Sequence, residues 1–145
     1  MGTTARVDTA TGLLAILDGL KASGDLEETF SARPGSFARP TPFGYVDLGD
    51  EQVSHDAGTR TRVFPASLVI ADRLTENAES TERMNALVDK VLDAITAHAH
   101  VSVPGGVVHS GRVAVTVGAD QAPDGAWFIA ARFDYGDITV QEGRD

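Results

Sequence analysis

The stretch from Ala78 to His98 constrains the fold of this chain more than any other. Its apolar residues are Met84, Leu87, Val88, Val91, Leu92 and Ile95. Steps of three and one residues put all six on one face of a helix. The opposite face carries Glu79, Glu82, Arg83, Asp89, Lys90 and Asp93. Each aliphatic side chain contributes roughly 1.5–3 kcal/mol when fully buried, so the stripe offers about 10 kcal/mol before chain entropy is set against it. A stripe of this kind needs a partner surface. The segments before Asp72 and after Val101 read as strands, so the expected partner is a sheet.

The rest of the chain supplies the other elements. Asp8 or Thr9 is placed to cap a first helix running to about Ser23, with Leu13, Leu14, Leu17 and Leu20 on its apolar face and Gly24 as its C-terminal cap. From Leu26 to Pro42 the pattern breaks down: Pro34, Gly35, Pro40 and Pro42 interrupt any long element, and Phe30 and Phe37 stand as anchors in an extended loop. Phe43 to Leu48 is a short strand. Gly49 to Arg62 reads as a polar hairpin that leads into a long strand, Thr59 to Ala71, with Phe64, Ala66, Leu68 and Ile70 on one face. Arg60 and Arg62 share that parity but lie beyond the core. Pro65 has no N–H for a ladder, so the strand is at an edge there or carries a bulge.

After the main helix, with Thr75 or Asn77 as its cap, come Val101–Val103, a Pro104-Gly105-Gly106 turn and a strand from Val107 to Val117. A hairpin loop from Gly118 to Gly125 leads to a last strand, in which Trp127, Ile129, Ala131, Phe133 and Tyr135 alternate and Ile138 and Val140 extend the pattern. Met1–Val7 and Glu142–Asp145 read as flexible tails. The expected whole is one α+β domain over residues 1–145: an antiparallel-rich sheet of about four strands, two helices packed on one face, and long hairpins.

Charge narrows the function. With 21 acidic and 12 basic residues the formal net charge is −9. A protein that grips nucleic acid by its phosphates needs a basic face, which this balance argues against. There is no cysteine, hence no thiolate nucleophile, disulfide or zinc–sulfur site. No apolar run approaches the ~20 residues that span a bilayer, and the N-terminus has no basic-then-apolar leader. These features lead to the expectation of a soluble intracellular product with no membrane partner.

The search for chemistry yields little. His98, His100 and His109 are near one another in sequence, but no second ligand cluster accompanies them, and helix-end or surface histidines are the better reading. Asp47, Asp50, Glu51 and Asp56 gather around the first hairpin without any sign of the cleft that acid–base catalysis needs. Gly105-Gly106 lacks the lysine and following helix of a phosphate loop. The expectation is therefore no enzyme, no cofactor and no metal. The polar first hairpin is instead expected to project and meet a neighbour; Asp50, Glu51, Asp56, Arg60 and Arg62 in it, and Phe37 in the loop before it, are the candidate contacts.

The order and spacing of elements carry a resemblance. A helix with Gly12-Leu13-Leu14-Ala15-Ile16-Leu17 precedes a Pro-rich loop. Pro42-Phe43-Gly44-Tyr45-Val46-Asp47-Leu48-Gly49-Asp50 follows, then Thr59-Arg60-Thr61-Arg62 entering a long strand. A helix with Asn85-Ala86-Leu87-Val88-Asp89-Lys90-Val91-Leu92-Asp93-Ala94 and two closing strands complete it. Across roughly Leu13 to Tyr135 this resembles the tail terminator, or tail-completion, proteins of long-tailed bacteriophages. The resemblance implies a hexameric ring at the head-proximal end of the tail in the virion, assembled in the host cytoplasm. Such a ring stops growth of the tail tube protein, receives the head–tail connector protein, and lets double-stranded DNA pass without sequence-specific binding. On that reading Asp120 and Asp124, with the acids of the first hairpin, are candidates to face the channel. Two alternatives remain: another head–tail joining protein such as a stopper, or a small host enzyme or ligand-binding domain.

Overall fold

The computed structural model describes residues 5–75, 77–98, 100–103, 106–109 and 112–143. The chain runs α1 (Ala5–Ala22), β1 (Glu28–Phe30), β2 (Phe43–Leu48), β3 (Gln52–Asp56), β4 (Thr59–Arg73), α2 (Asn77–Ala97), β5 (His100–Val103), β6 (Gly106–His109), β7 (Ala114–Gln121) and β8 (Trp127–Gly143). The main sheet has six strands in the order β1-β2-β4-β8-β7, with β3 also paired to β4. β1 joins β2 in parallel and the other pairs of this sheet are antiparallel. The fold is α+β, but its sheet is larger than the expected four strands and is mixed.

The long ladder between β4 and β8 is the spine of the molecule. It runs from Thr59↔Gly143 to Arg73↔Phe128. Along it Phe64, Ala66, Leu68 and Ile70 point to one face, as their alternation requires, and meet Ile129, Ala131, Phe133, Ile138 and Val140 from β8 in one buried cluster. The parity of β8 changes between Phe133 and Ile138 because the register slips between Ala66 and Ser67, where Tyr135 is the extra residue. Gly136 takes φ +77° there, a backbone that side-chain-bearing residues rarely adopt. Without the bulge, Ile138 and Val140 would point away from the helices.

Pro65 sits at the same level. On its β2–β3 side the ladder is interrupted between Leu48 and Gln52, and the Pro65 carbonyl accepts the Gly49 N–H at 2.9 Å. The missing proline N–H therefore falls where no strand asks for it. A Cβ on Gly49 would collide with the Pro65 ring, so Pro65 demands glycine at position 49.

Both helices pack on this face. Leu13, Ile16, Leu17 and Leu20 of α1 join the cluster; Ile16 was absent from the expected stripe and Leu14 is only half-buried. Helix α1 already includes Ala5, so Asp8 and Thr9 are interior rather than caps, and the buried Thr9 hydroxyl donates to the Ala5 carbonyl at 2.8 Å. Gly24, at φ +87°, closes the helix as expected. Of the α2 stripe, Met84, Val91 and Ile95 are buried, while Leu87, Val88 and Leu92 lie along the margin of the core. The estimate of about 10 kcal/mol is thus an upper bound. Asn77 is the first residue of α2 rather than its cap, and Ser80 Oγ accepts the Thr75 N–H at 3.0 Å.

Several expectations are corrected. The loop after Leu26 contains β1, and the polar stretch after Gln52 is strand β3. The strand expected over Val107–Val117 is two strands in different sheets, β6 with β5 and β7 with β8. Glu142 is not in a free tail: it is 7% exposed and part of β8. Arg6 and Val7 belong to α1. Trp127, placed by alternation with the buried residues of β8, is 57% exposed. The Pro104-Gly105 turn and the tail at 144–145 lie outside the described residues.

Candidate functional site: the two ends of the long ladder

At one end of the spine, β3, β4 and β8 continue past the apolar core as a three-stranded extension. The turn joining β3 to β4 places Ala57 at φ 45° and Gly58 at φ 87°, the consecutive left-handed pair of a tight two-residue hairpin. Every residue of β3 is exposed, including Val53 at 48%. Asp50 and Asp56 are exposed as well.

The base of this extension is held by charge. Arg62 Nε and Nη2 donate to the two Glu51 oxygens at 2.6 and 3.0 Å, a forked pair. Arg62 Nη1 donates to Glu142 Oε2 at 3.3 Å, and Arg60 Nε to Glu142 Oε1 at 2.6 Å. From α1, Arg6 Nη1 lies 3.6 Å from Glu51, donates to the Gly49 carbonyl at 2.9 Å, and stacks its guanidinium 5.0 Å from the Phe64 ring centre. The Arg62 hydrogen bonds, seconded by the charges of Arg62 and Arg6, hold the Glu51 carboxyl below its ordinary value against the opposing effect of burial. The same bonds hold the Arg62 guanidinium more firmly protonated. The Arg62 and Glu142 side chains are 10% and 5% exposed. Burial of such a pair costs solvation that the attraction roughly returns, so the network adds little net stability, while removal of one partner would leave a buried charge uncompensated.

The other end of the ladder carries aromatic rings on the face opposite the helices. Phe43, Tyr45, Val69, Ala71, Ala122 and Phe128 form a second buried cluster. Phe37, from the loop before β2, closes over it with its ring 4.9 Å from Phe43 and 4.6 Å from Phe128. The Arg33 guanidinium lies over the Phe37 ring, 5.1 Å from its centre. Between this loop and the β7–β8 turn is a groove of about 390 Å³ lined by Phe37, Phe43, Phe128 and Trp127, with Arg39 and Arg73 among its polar residues. Sequence reasoning missed this groove. Its signal was Phe37, read as an anchor without a surface to anchor to.

The candidate contacts are thus divided. Arg60, Arg62 and Glu51 are brought together with Glu142, while Asp50 and Asp56 stand exposed on the same extension. Phe37 is at the far end, packed on its own domain. Asp120 is exposed on β7 and Asp124 is in the β7–β8 turn, where its carboxylate accepts the Ala126 N–H at 3.0 Å. Glu142 was missed, although its parity with Ile138 and Val140 puts it on the same face as Arg60 and Arg62.

The described residues contain no group of three or more His, Asp or Glu side chains placed to hold a metal ion. His55 is exposed on β3, His98 is exposed with Nδ1 3.1 Å from the Ala94 carbonyl, and His100 stands opposite His109 in the β5–β6 register. The Tyr135 hydroxyl has no hydrogen-bond partner among the described residues, and burial raises it to about 12. No helix of the described residues is long and apolar enough to cross a membrane. The chain matches no protein-family model and no curated protein.

Proposed function

We propose that this chain is a structural assembly protein that forms a ring, and that the ring ends a bacteriophage tail tube at the side facing the head. The observation that carries this reading is the exposed extension of β3, β4 and β8. Its outer strand β3 buries none of its five residues, while its base, where Val140 still joins the core, is fixed by five ion-paired or hydrogen-bonded side chains from α1, β4, β8 and the turn before β3. A braced, exposed arm is what a subunit uses to reach a neighbour. The order of its major elements supports the more specific terminator reading, although β1, β3 and the β5–β6 pair add strands to the layout that the resemblance implies.

In such a ring the exposed acids suit passage of DNA. Basic walls would hold phosphates through counterion release, whereas acidic ones repel the duplex within a Debye length of about 8 Å at physiological salt. Asp50 and Asp56 on one hairpin and Asp120 and Asp124 on the other are the exposed candidates. The test is electron microscopy of the purified protein mixed with tail tubes of its parent phage. Rings seated at one end of the tubes, with tube length then constant, are the expected result. Tubes that bind no protein and go on growing would contradict it.

A further inference from the structure

We infer that the free edge of β7 in one copy pairs with the free edge of β3 in the next, so that the main sheet continues from subunit to subunit. Resting on the ring reading above, this names the surfaces that build the ring.

Strand β7 ends the sheet and pairs only with β8 among the described residues. All of its residues but Val117 are exposed. Every second residue of an edge strand directs its N–H and C=O away from the sheet, and proteins usually blunt such edges with lysine, proline, a bulge or a very short strand. β7 has eight residues, and the run Ala114-Val115-Thr116-Val117-Gly118-Ala119 has no charge and no proline. Val115 is 38% exposed on it. Strand β1, at the other end of the sheet order, has three residues and is blunted by length.

The occupant is written in the topology. β3 pairs only with β4 among the described residues and its five residues are all exposed. It offers a second open edge, on the opposite side of the ladder. Strand direction alternates across β3, β4, β8 and β7. A neighbour in the same orientation therefore brings its β3 antiparallel to β7, and the alternation continues. The contact joins two different surfaces, so it repeats from copy to copy and closes into a ring when the rotation allows. Pairing of β7 with β7 instead requires a two-fold axis and stops at a dimer.

The absence of cysteine makes the test clean. Thr116 and Ser54 lie on the same face of the sheet, since Thr116 stands opposite Arg132, Arg132 opposite Val69, and Ser54 opposite Thr61. Thr116→Cys and Ser54→Cys are made as separate proteins, both at exposed positions, and treated with a short bis-maleimide alone and mixed. Cross-linked dimers only in the mixture, and a ladder of larger products from the double variant, are expected. Dimers from Thr116→Cys alone would overturn the inference in favour of a two-fold β7 contact. Rings visible by electron microscopy without any cross-link would overturn it while leaving the ring reading intact. A cross-linked ladder that never seats on tail tubes would uphold the edge pairing and remove the terminator reading.

Discussion

From Leu68↔Phe133 to Ile70↔Ala131 the β4–β8 ladder presents only hydrocarbon to the helices. At Arg60↔Glu142, and at Arg62 beside the last core residue Val140, the same face of the same two strands presents guanidinium and carboxylate. The backbone pairing is continuous between them apart from the bulge at Ala66. The apolar end gains from every buried methylene and tolerates no charge. The charged end gains little net energy, because desolvation and attraction nearly cancel, but loss of either partner leaves a buried charge. On the proposed ring reading, the apolar end holds the fold and the arm engages a neighbour.

The comparison breaks most visibly at the apolar end. Val91 is wholly buried in α2, whereas its neighbour Leu92 is half-buried. Val91→Asp should cost on the order of 4 kcal/mol, and Leu92→Asp clearly less because its carboxylate can reach water. Thermal melting of the two variants checks the order, and equal losses would mean that the assigned helix face is wrong.

At the charged end, Glu142→Gln leaves Arg62 with Glu51 and removes the partner of Arg60. The expected cost is about 2 kcal/mol, below the ~3–5 kcal/mol of a fully orphaned buried charge, because Glu51 remains and Arg60 is partly in water. Hydrogen exchange should quicken in β3 and in Gly136–Gly143 before it changes in Trp127–Phe133. Uniform acceleration along β8 would show that the two ends are not separable.

Acid should produce a milder form of the same effect. The Glu51 carboxyl is held below its ordinary value by the Arg62 hydrogen bonds. Its contribution is therefore complete above the ordinary carboxylate pKa of about 4.3 and lost as pH falls through the lower folded value. Exchange at β3 should rise as pH falls below the ordinary carboxylate range while the helix-facing core stays protected, and high salt should weaken the dependence.

Legibility followed the same division. The apolar end was readable because periodicity reports burial: the parity of Phe64 to Ile70, the Met84–Ile95 stripe and the cap at Gly24 all appear where spacing puts them. Pro65 announced a break in pairing, and the break is there. β1 was hidden because a three-residue parallel strand between glycines and prolines has no period to detect. β3 was hidden because its five residues bury nothing, so neither face is marked. The ion network was half legible. Arg60 and Arg62 stood out on the core parity, but their partner Glu142 lies 82 and 80 residues away in sequence, and no local pattern links charges at such a distance. Phe37 was readable as an anchor, while the groove beside it depends on Phe43 and Phe128 meeting across the sheet.

On the proposed reading, the exposed β3 arm assembles copies and contributes little to the fold of one copy. Native mass measurement of the wild-type chain beside a variant lacking Val53–Gly58 tests it directly, with circular dichroism of both as the check on folding. The expected result is a six-fold mass for the wild type and a folded monomer for the deletion. A deletion variant that assembles at the wild-type mass would contradict the claim.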